Sequence, residues 1–335
     1  MTHPPSPHAI ANQPRFDPND DAPCFEAWIL RAHHPHEPRS VWIRYAVHAP
    51  GVFDERIGEL RAVVFDGTTG LHRAVRSEVP LARVALGASG LHVTIGEASL
   101  EDGRAHGHTH HGPSSIRWHL TWDGGHAPLS LLSPRLEHAP VPRMKAVSAR
   151  PLVTFRGTLE LDGHALHVDG WQGSQAHRWG HRHADAHAWG EVAGFDDAPD
   201  VFLEAASAQL AFGPTHTPAL SVLVLREGER ETLLHGVATA LRSRARFAPF
   251  SWELVCRGRD VRVTARLEAP RERFVALREP EPEADREVKI ALLSQLATCT
   301  LEIERRGEPT RTYETRNRAA LELLGASDGG LPVLG

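Results

Sequence analysis

The stretch GWQGSQAHRWGHRHADAHAWGEVAGFDD, residues 170–197, gathers Trp171, Trp179 and Trp189 with His177, His181, His183 and His187. Such residues suit two chemistries. The first is metal binding. On an extended chain alternate residues share a face, so His181, His183 and Asp185 converge there, whereas His177 and His181 converge only on a helix. Zinc needs three or four ligands at about 2.0–2.3 Å, held by further hydrogen bonds. No helix-fixed pair of histidines supplies that geometry, and with 23 histidines in the chain no metal is assigned. The second chemistry is acid–base. Protonating an olefin needs a carboxylic acid kept neutral in apolar surroundings, because burial raises a carboxyl pKa. Glu191 beside Trp189, Glu204 in the run FLEAASA, Asp185 and Glu26 are the candidates. Glu204 ranks first, since its strand is apolar on both faces and the charge must find a partner, a cavity or a proton. His177 or His183 then serves as base or as donor to a carbonyl. Gln175, Trp171, Trp179, His183 and Trp189 are expected to line an apolar pocket holding a few placed polar groups. The competing reading is packing alone, with three indoles filling a seam between two sheets.

The elements that must position these residues read as strands. In SVWIRYAVHA, Val41, Ile43, Tyr45 and Val47 share a face, and in SIRWHLTWDGG so do Ile116, Trp118, Leu120 and Trp122. The run VTFRGTLELDGHALHV turns at Asp162-Gly163, a hairpin signal. Many such runs at even spacing predict an all-β chain of antiparallel barrels or sandwiches. RNRAALELLG, rich in Ala, Leu and Glu and closed by Gly325, predicts a short C-terminal helix capped by Asn317. REVKIALLSQLATC fits helix or strand. RAHGHTHHGP, with His106, His108, His110 and His111, reads as a loop. The expected organisation is a mobile N-terminal tail over 1–22, one barrel over 23–168, a second over 169–325, and a tail over 326–335. Residues 170–197 then sit at the joint, with Trp179 and Trp189 buried where the halves meet.

Composition narrows the function. The 335 residues, 41% hydrophobic and 24% charged, are enough for two cores, and a net charge of −5 without a basic stripe argues against nucleic acid as a partner. No eighteen apolar residues run together, so no transmembrane segment is expected, and the first residues do not resemble a secretory signal. Cys24, Cys256 and Cys299 lie far apart without CxxC spacing, which fits a reducing cytoplasm. Nucleophile-elbow, phosphate-loop and dinucleotide fingerprints are absent, and no cofactor is expected.

His177-x-Trp179-Gly180, followed by Trp189-Gly190, resembles the His-x-Trp-Gly and Trp-x-Trp signature of the superfamily of carotenoid 1,2-hydratases, AttH-like proteins and lipocalin-like Diels–Alderases. FEAWILR, Phe25 to Arg31, is similar to the opening of the tocopherol cyclases and adds Trp28 to the pocket residues. Arg178 stands where relatives carry Asn or Glu, and Ile29 where they carry an aromatic. The resemblance implies two lipocalin-like barrels packed side by side, with an apolar pocket for terpenoid, polyene or polyketide-like molecules. It carries over no catalytic carboxylate. The expected function is binding an apolar small molecule, isoprenoid or polyketide-like, with hydratase, cyclase or isomerase activity. The alternative is a non-catalytic carrier or structural protein.

Overall fold

The computed structural model describes residues 5–50, 55–184, 186–209, 211–212, 215–280, 288–325 and 327–334. The first sheet has twelve strands: β1 (Cys24–His33), β2 (Arg39–Ala49), β3 (Ile57–Asp66), β4 (Arg73–Pro80), β5 (Val84–Leu86), β6 (His92–Ile95), β7 (Ala98–Glu101), β8 (Arg104–His111), β9 (Ser114–Gly124), β10 (Leu129–Ser130), β11 (Met144–Leu161) and β12 (His164–Gly180). The remainder are β13 (Ala186–Ala193), β14 (Val201–Gln209), β15 (Ala211–Phe212), β16 (Thr215–His216), β17 (Leu220–Glu227), β18 (Arg230–Leu234), β19 (Arg244–Ala248), β20 (Ser251–Arg257), β21 (Val261–Glu268), β22 (Val275–Pro280), β23 (Val288–Arg305), β24 (Arg311–Gly325) and β25 (Val333–Leu334). All of these except the small β15–β16 hairpin form the second sheet. The chain is thus mostly β, in two large antiparallel sheets, one of them nearly closed into a barrel. Helices are short: α1 (Pro7–Ala11), α2 (Pro134–Glu137) and α3 (Val237–Arg242).

Period-two alternation sorts the side chains. In β1, Trp28, Leu30 and Ala32 enter the core of the first sheet, while Phe25, Ala27 and Ile29 pack against Val275, Leu277 and Leu293 of the second. The neighbouring β12 pairs with β1 so that Trp28 faces His177 and Arg31 faces Ser174. Each strand therefore has one face in a core and the other in the seam between sheets. In β13 and β14, Ala188, Val192, Leu203 and Ala205 fill the second core, and Trp189, Ala193 and Phe202 fill the seam.

Two expectations are corrected, the C-terminal helix with its cap and the histidine loop. RNRAALELLG is not a helix: it lies in β24, where Ala319 and Leu321 enter the second core and Ala320 faces the seam. With both faces buried the strand carries no polar alternation, so helix formers such as Ala and Leu masked it, and tertiary burial overrode propensity. Asn317 is accordingly no cap; its Oδ1 accepts from Arg273 Nη1 at 2.8 Å. The histidine run is not a loop but β8, with His106, His108 and His110 outside and Ala105, Gly107 and Thr109 inside. REVKIALLSQLATC is strand from Val288 onward. The expected division at 168/169 lies inside β12, and the first sheet continues to Gly180.

The N-terminal residues also pack: Asn12 is buried and exchanges two hydrogen bonds of 2.8 Å with Gln175. No helix among the described residues is long and apolar enough to cross a membrane, and Cys24, Cys256 and Cys299 are free.

Gly173 is where β12 crowds β1, since a Cβ there would lie 1.8 Å from the carbonyl oxygen of Arg31. Gly173→Ala must push the two strands apart, at a cost of about 1–3 kcal/mol typical of overpacking. Urea unfolding measures it, and a loss under about 0.5 kcal/mol would contradict this close approach.

Candidate active site

The seam holds a pair of carboxyls directly opposite each other on β13 and β14, Glu191 and Glu204. Both are almost completely buried. They share a face because each sits at an odd step from the core residues beside it: Trp189, Glu191 and Ala193 on one strand, Phe202, Glu204 and Ala206 on the next. Ser148 of β11 donates to Glu204 Oε2 at 2.9 Å, and the Trp189 indole donates to Oε1 at 3.0 Å. Ser174 of β12 donates to Glu191 Oε1 at 2.5 Å. The nearby cation is Arg31, whose Nη1 stands 3.5 Å from Glu191 Oε2 and whose guanidinium lies over the Trp189 ring at 4.2 Å. Two buried carboxyls face one guanidinium, so one of them holds a proton. Burial, and next the Glu191 charge, push Glu204 up to about 7, against the pull of its hydrogen bonds. Burial also raises Glu191, despite Arg31 and Ser174. The Glu191 charge adds to the rise at Glu204, while Arg31 opposes the rise at Glu191, so Glu204 is the one that holds the proton more readily.

Elsewhere the seam balances its charges. Burial works against Glu322, yet Arg178 at 3.2 Å and His187 at 3.0 Å hold it well below the usual carboxylate range. Glu59 is held low in the same way by Arg44, Arg61 and His48, with burial again opposing. Arg44 also binds Glu279 at 2.7 Å, which ties β2 to β22 across the seam.

His177 does not join the carboxyl pair. It lies on the other face of β12, inside the first core, stacked on Trp28 with ring centroids 4.8 Å apart. Its Nδ1–H donates to Ala11 O at 2.8 Å, and one proton lies between its Nε2 and Glu26 Oε1 at 2.7 Å. Glu26 further accepts from the backbone N–H groups of Arg15 and Phe16, at 2.8 and 2.7 Å. Trp28 Nε1 donates to Asn12 O at 3.2 Å. Glu26, Trp28, Gln175 and His177 thus anchor residues 11–16 rather than facing a cavity, and the expected trio of Glu204, His177 and Glu191 divides across a sheet. The reason is parity: Ser174, Ala176 and Arg178 alternate with Gln175 and His177, and only the first set faces the seam.

The remaining pocket residues also scatter. Trp189 is in the seam. Trp171 belongs to the first core, in edge contact with His34 at 5.4 Å. Trp179 is half-buried against His177 and under Arg15, not at the contact between the halves. His183 is buried near Phe25, and burial, then His187 and Arg178, hold it well below the usual histidine range. Asp185 lies outside the described residues. Among those residues no three His, Cys, Asp or Glu side chains gather to hold a metal. Two clefts open elsewhere, one of about 470 Å³ beside Arg230 and Arg259 and one of about 220 Å³ beside His34 and Asp196. Arg31, Ser148 and Ser174 had not been singled out from sequence. Arg31 left a signal, since it continues the apolar face of Phe25, Ala27 and Ile29; the serines left none.

No family model matches the sequence, and no curated protein matches it. Solved structures do. A protein designated AttH from Nitrosomonas europaea superposes with a TM-score of 0.58 at 13% identity, over 92% of this chain and 94% of that one. Kievitone hydratase from Nectria haematococca gives 0.54 at 10%, over 95% and 92%. CghA, solved with Sch210972, gives 0.56 at 9%, over 91% and 89%. The chain shares its fold with these three proteins. Coverage of about nine-tenths on both sides means that the shared fold takes in both sheets, while such low identity carries over no residue's role.

The raised carboxyl makes a pH prediction. In an unfolded chain Glu204 titrates near 4.5 and in the fold near 7. Between those values the folded protein keeps a proton that the unfolded chain has released, so stability falls as pH rises through the window. The loss is on the order of 1–3 kcal/mol. Urea unfolding from pH 5 to 7 should show it, and Glu204→Gln should flatten the slope. An unchanged slope would place the shared proton elsewhere.

Proposed function

We propose that this protein binds an apolar small molecule, isoprenoid or polyketide-like, in the seam between its sheets and acts on it by protonation, as a hydratase or cyclase. The observation that carries this reading is the buried Glu191–Glu204 pair, a carboxylic acid near neutrality beside an indole. An apolar cluster of Leu129, Leu131, Phe202, Val224 and Ala320 surrounds Trp189 there. Leu129 pairs across β10 and β11 with Ser148, the donor to Glu204. A ligand reaches the acid by taking the place of Leu129 and Leu131, which arrive on the connection between β9 and β11. The fold fits this chemistry, since one of its members is a kievitone hydratase.

The roles follow from charge. Neutral Glu204 gives its proton to one carbon of a double bond, in surroundings where a neutral acid is the stable form. Positive charge develops on the other carbon, and the negative charge left on the carboxyl pair stabilises it. In hydration, water adds to that carbon and returns a proton to the pair. In cyclisation, a second double bond adds to it, and the carbon next to the new cationic centre returns a proton to the pair, leaving a double bond. Arg31 and Ser174 favour the ionised form of Glu191 against its burial, and so favour the proton on Glu204.

The rival, a carrier or structural protein, draws on one observation: neither cleft described above opens onto the carboxyl pair. Turnover separates the two. Native mass spectrometry of protein purified from its own host identifies the bound molecule, which is then incubated with the protein in D2O. The proposal expects solvent deuterium on carbon in the product, and Glu204→Gln should slow turnover by about 10²–10⁴-fold, while binding, read by tryptophan fluorescence, persists. A ligand recovered unchanged and free of deuterium would make the protein a carrier.

A further inference from the structure

The second sheet carries a patch whose polarity is reversed. Helix α3 packs on β17 and β20 between the two edge strands β18 and β19. A helix on such a seam is expected to turn its apolar side chains inward. Here Thr239 and Ala240 are the half-buried ones, while Val237 and Leu241, one turn apart, are 57% and 69% exposed. Leu233 of β18, 47% exposed, adds a third apolar side chain. The cleft of about 470 Å³ is lined by Leu233, Thr239 and Arg259 together, which places the helix beside the turn between β20 and β21.

Three arginines rim this patch. Arg242 ends the helix, Arg244 opens β19 and Arg259 lies in the adjacent turn, all exposed. Among the described residues none of the three is held in an ion pair, whereas neighbouring acids are already engaged: Glu308 by Arg230, Asp260 by Arg306, and Glu227 by Arg305 and Arg311. Exposed Leu and Val rimmed by uncompensated arginines is the composition of a surface that rests in the headgroup layer of an anionic bilayer. A helix of six residues spans only about 9 Å, too short to form the roughly 800 Å² per partner of a stable protein interface.

We propose that this face, α3 with Leu233 and the arginines around it, is a docking surface for an anionic lipid bilayer. Val237, Leu241 and Leu233 enter the headgroup region, and Arg242, Arg244 and Arg259 bind lipid phosphate and carboxylate groups. The surface stands independently of the seam chemistry, and its test involves no turnover.

The full chain is sedimented with phosphatidylcholine vesicles with or without phosphatidylserine. Binding is expected to be at least about tenfold tighter with the anionic lipid and to weaken as salt rises. Each arginine contributes about fivefold near such a surface, so the triple variant Arg242→Gln, Arg244→Gln, Arg259→Gln should lose roughly a hundredfold. Leu241→Glu should lose at least about tenfold. Leu71→Glu, 60% exposed in the turn between β3 and β4, should bind as the unaltered chain does, and unfolding midpoints confirm that every variant is folded. No sedimentation with any vesicle would overturn the proposal, as would equal losses for Leu71→Glu and Leu241→Glu. A dimer in sedimentation velocity that Leu241→Glu dissolves would assign the face to a second copy of the chain and overturn it as well.

Discussion

Strand β1 and residues 173–177 of β12 are buried on both faces, and this double burial governs the rest of the molecule. One face supplies Trp28, Leu30, Trp171 and His177 to the first core; the other supplies Phe25, Ile29, Arg31 and Ser174 to the seam. Antiparallel sheets usually leave one face to water. Here the second sheet replaces that water, so every polar group on the inner strands must find its partner within the protein or keep a proton. The seam is for this reason lined with hydrogen-bonded charges.

The charges differ in how completely they are matched. Glu59 has three arginines, Glu322 has Arg178 and His187, and Glu279 has Arg44 and Arg61. Against these the Glu191–Glu204 pair has one guanidinium, at the long distance of 3.5 Å, with two serines and an indole in place of further cations. Burying a charge without a close counter-charge costs several kcal/mol, and protonation is the cheaper state. That imbalance sets the Glu191–Glu204 pair apart from the fully paired carboxylates of the same seam. Asn12, Arg15 and Phe16 play the opposite part on the far face of β12, meeting Glu26, Trp28, Gln175 and His177 with enough partners to leave those residues inert.

Much of the site was legible as residue types. Glu204 and Glu191 stand out because a carboxylate among Phe, Leu and Ala has no reason to be there unless it is paired or protonated. What was illegible was which side of the sheet each neighbour faces. His177 and Ala176 are adjacent in sequence yet belong to opposite faces, and nothing in HRWGHRH tells which face meets the second sheet. Trp179 failed as a seam residue for the same reason, while Trp189, in phase with Glu191, lies in the seam. The RNRAALELLG helix failed because a strand buried on both sides loses the polar alternation by which strands are recognised.

The sequence by itself determined the all-β character, the hairpins and three of the buried acids, Glu26, Glu191 and Glu204, since these follow from local alternation, Asp-Gly turns and the cost of an unmatched charge. The resemblance in HRWG and FEAWILR pointed to the same fold. Only the tertiary structure decided that Arg31, Ser148 and Ser174 converge on those acids from three strands of the other sheet, that residues 11–16 cover His177, and that α3 turns Val237 and Leu241 outward. Those outcomes depend on contacts between residues far apart in the chain, up to more than 150 positions for Arg31 and Glu191. Register and sheet packing set such contacts, and no local pattern of residues encodes them.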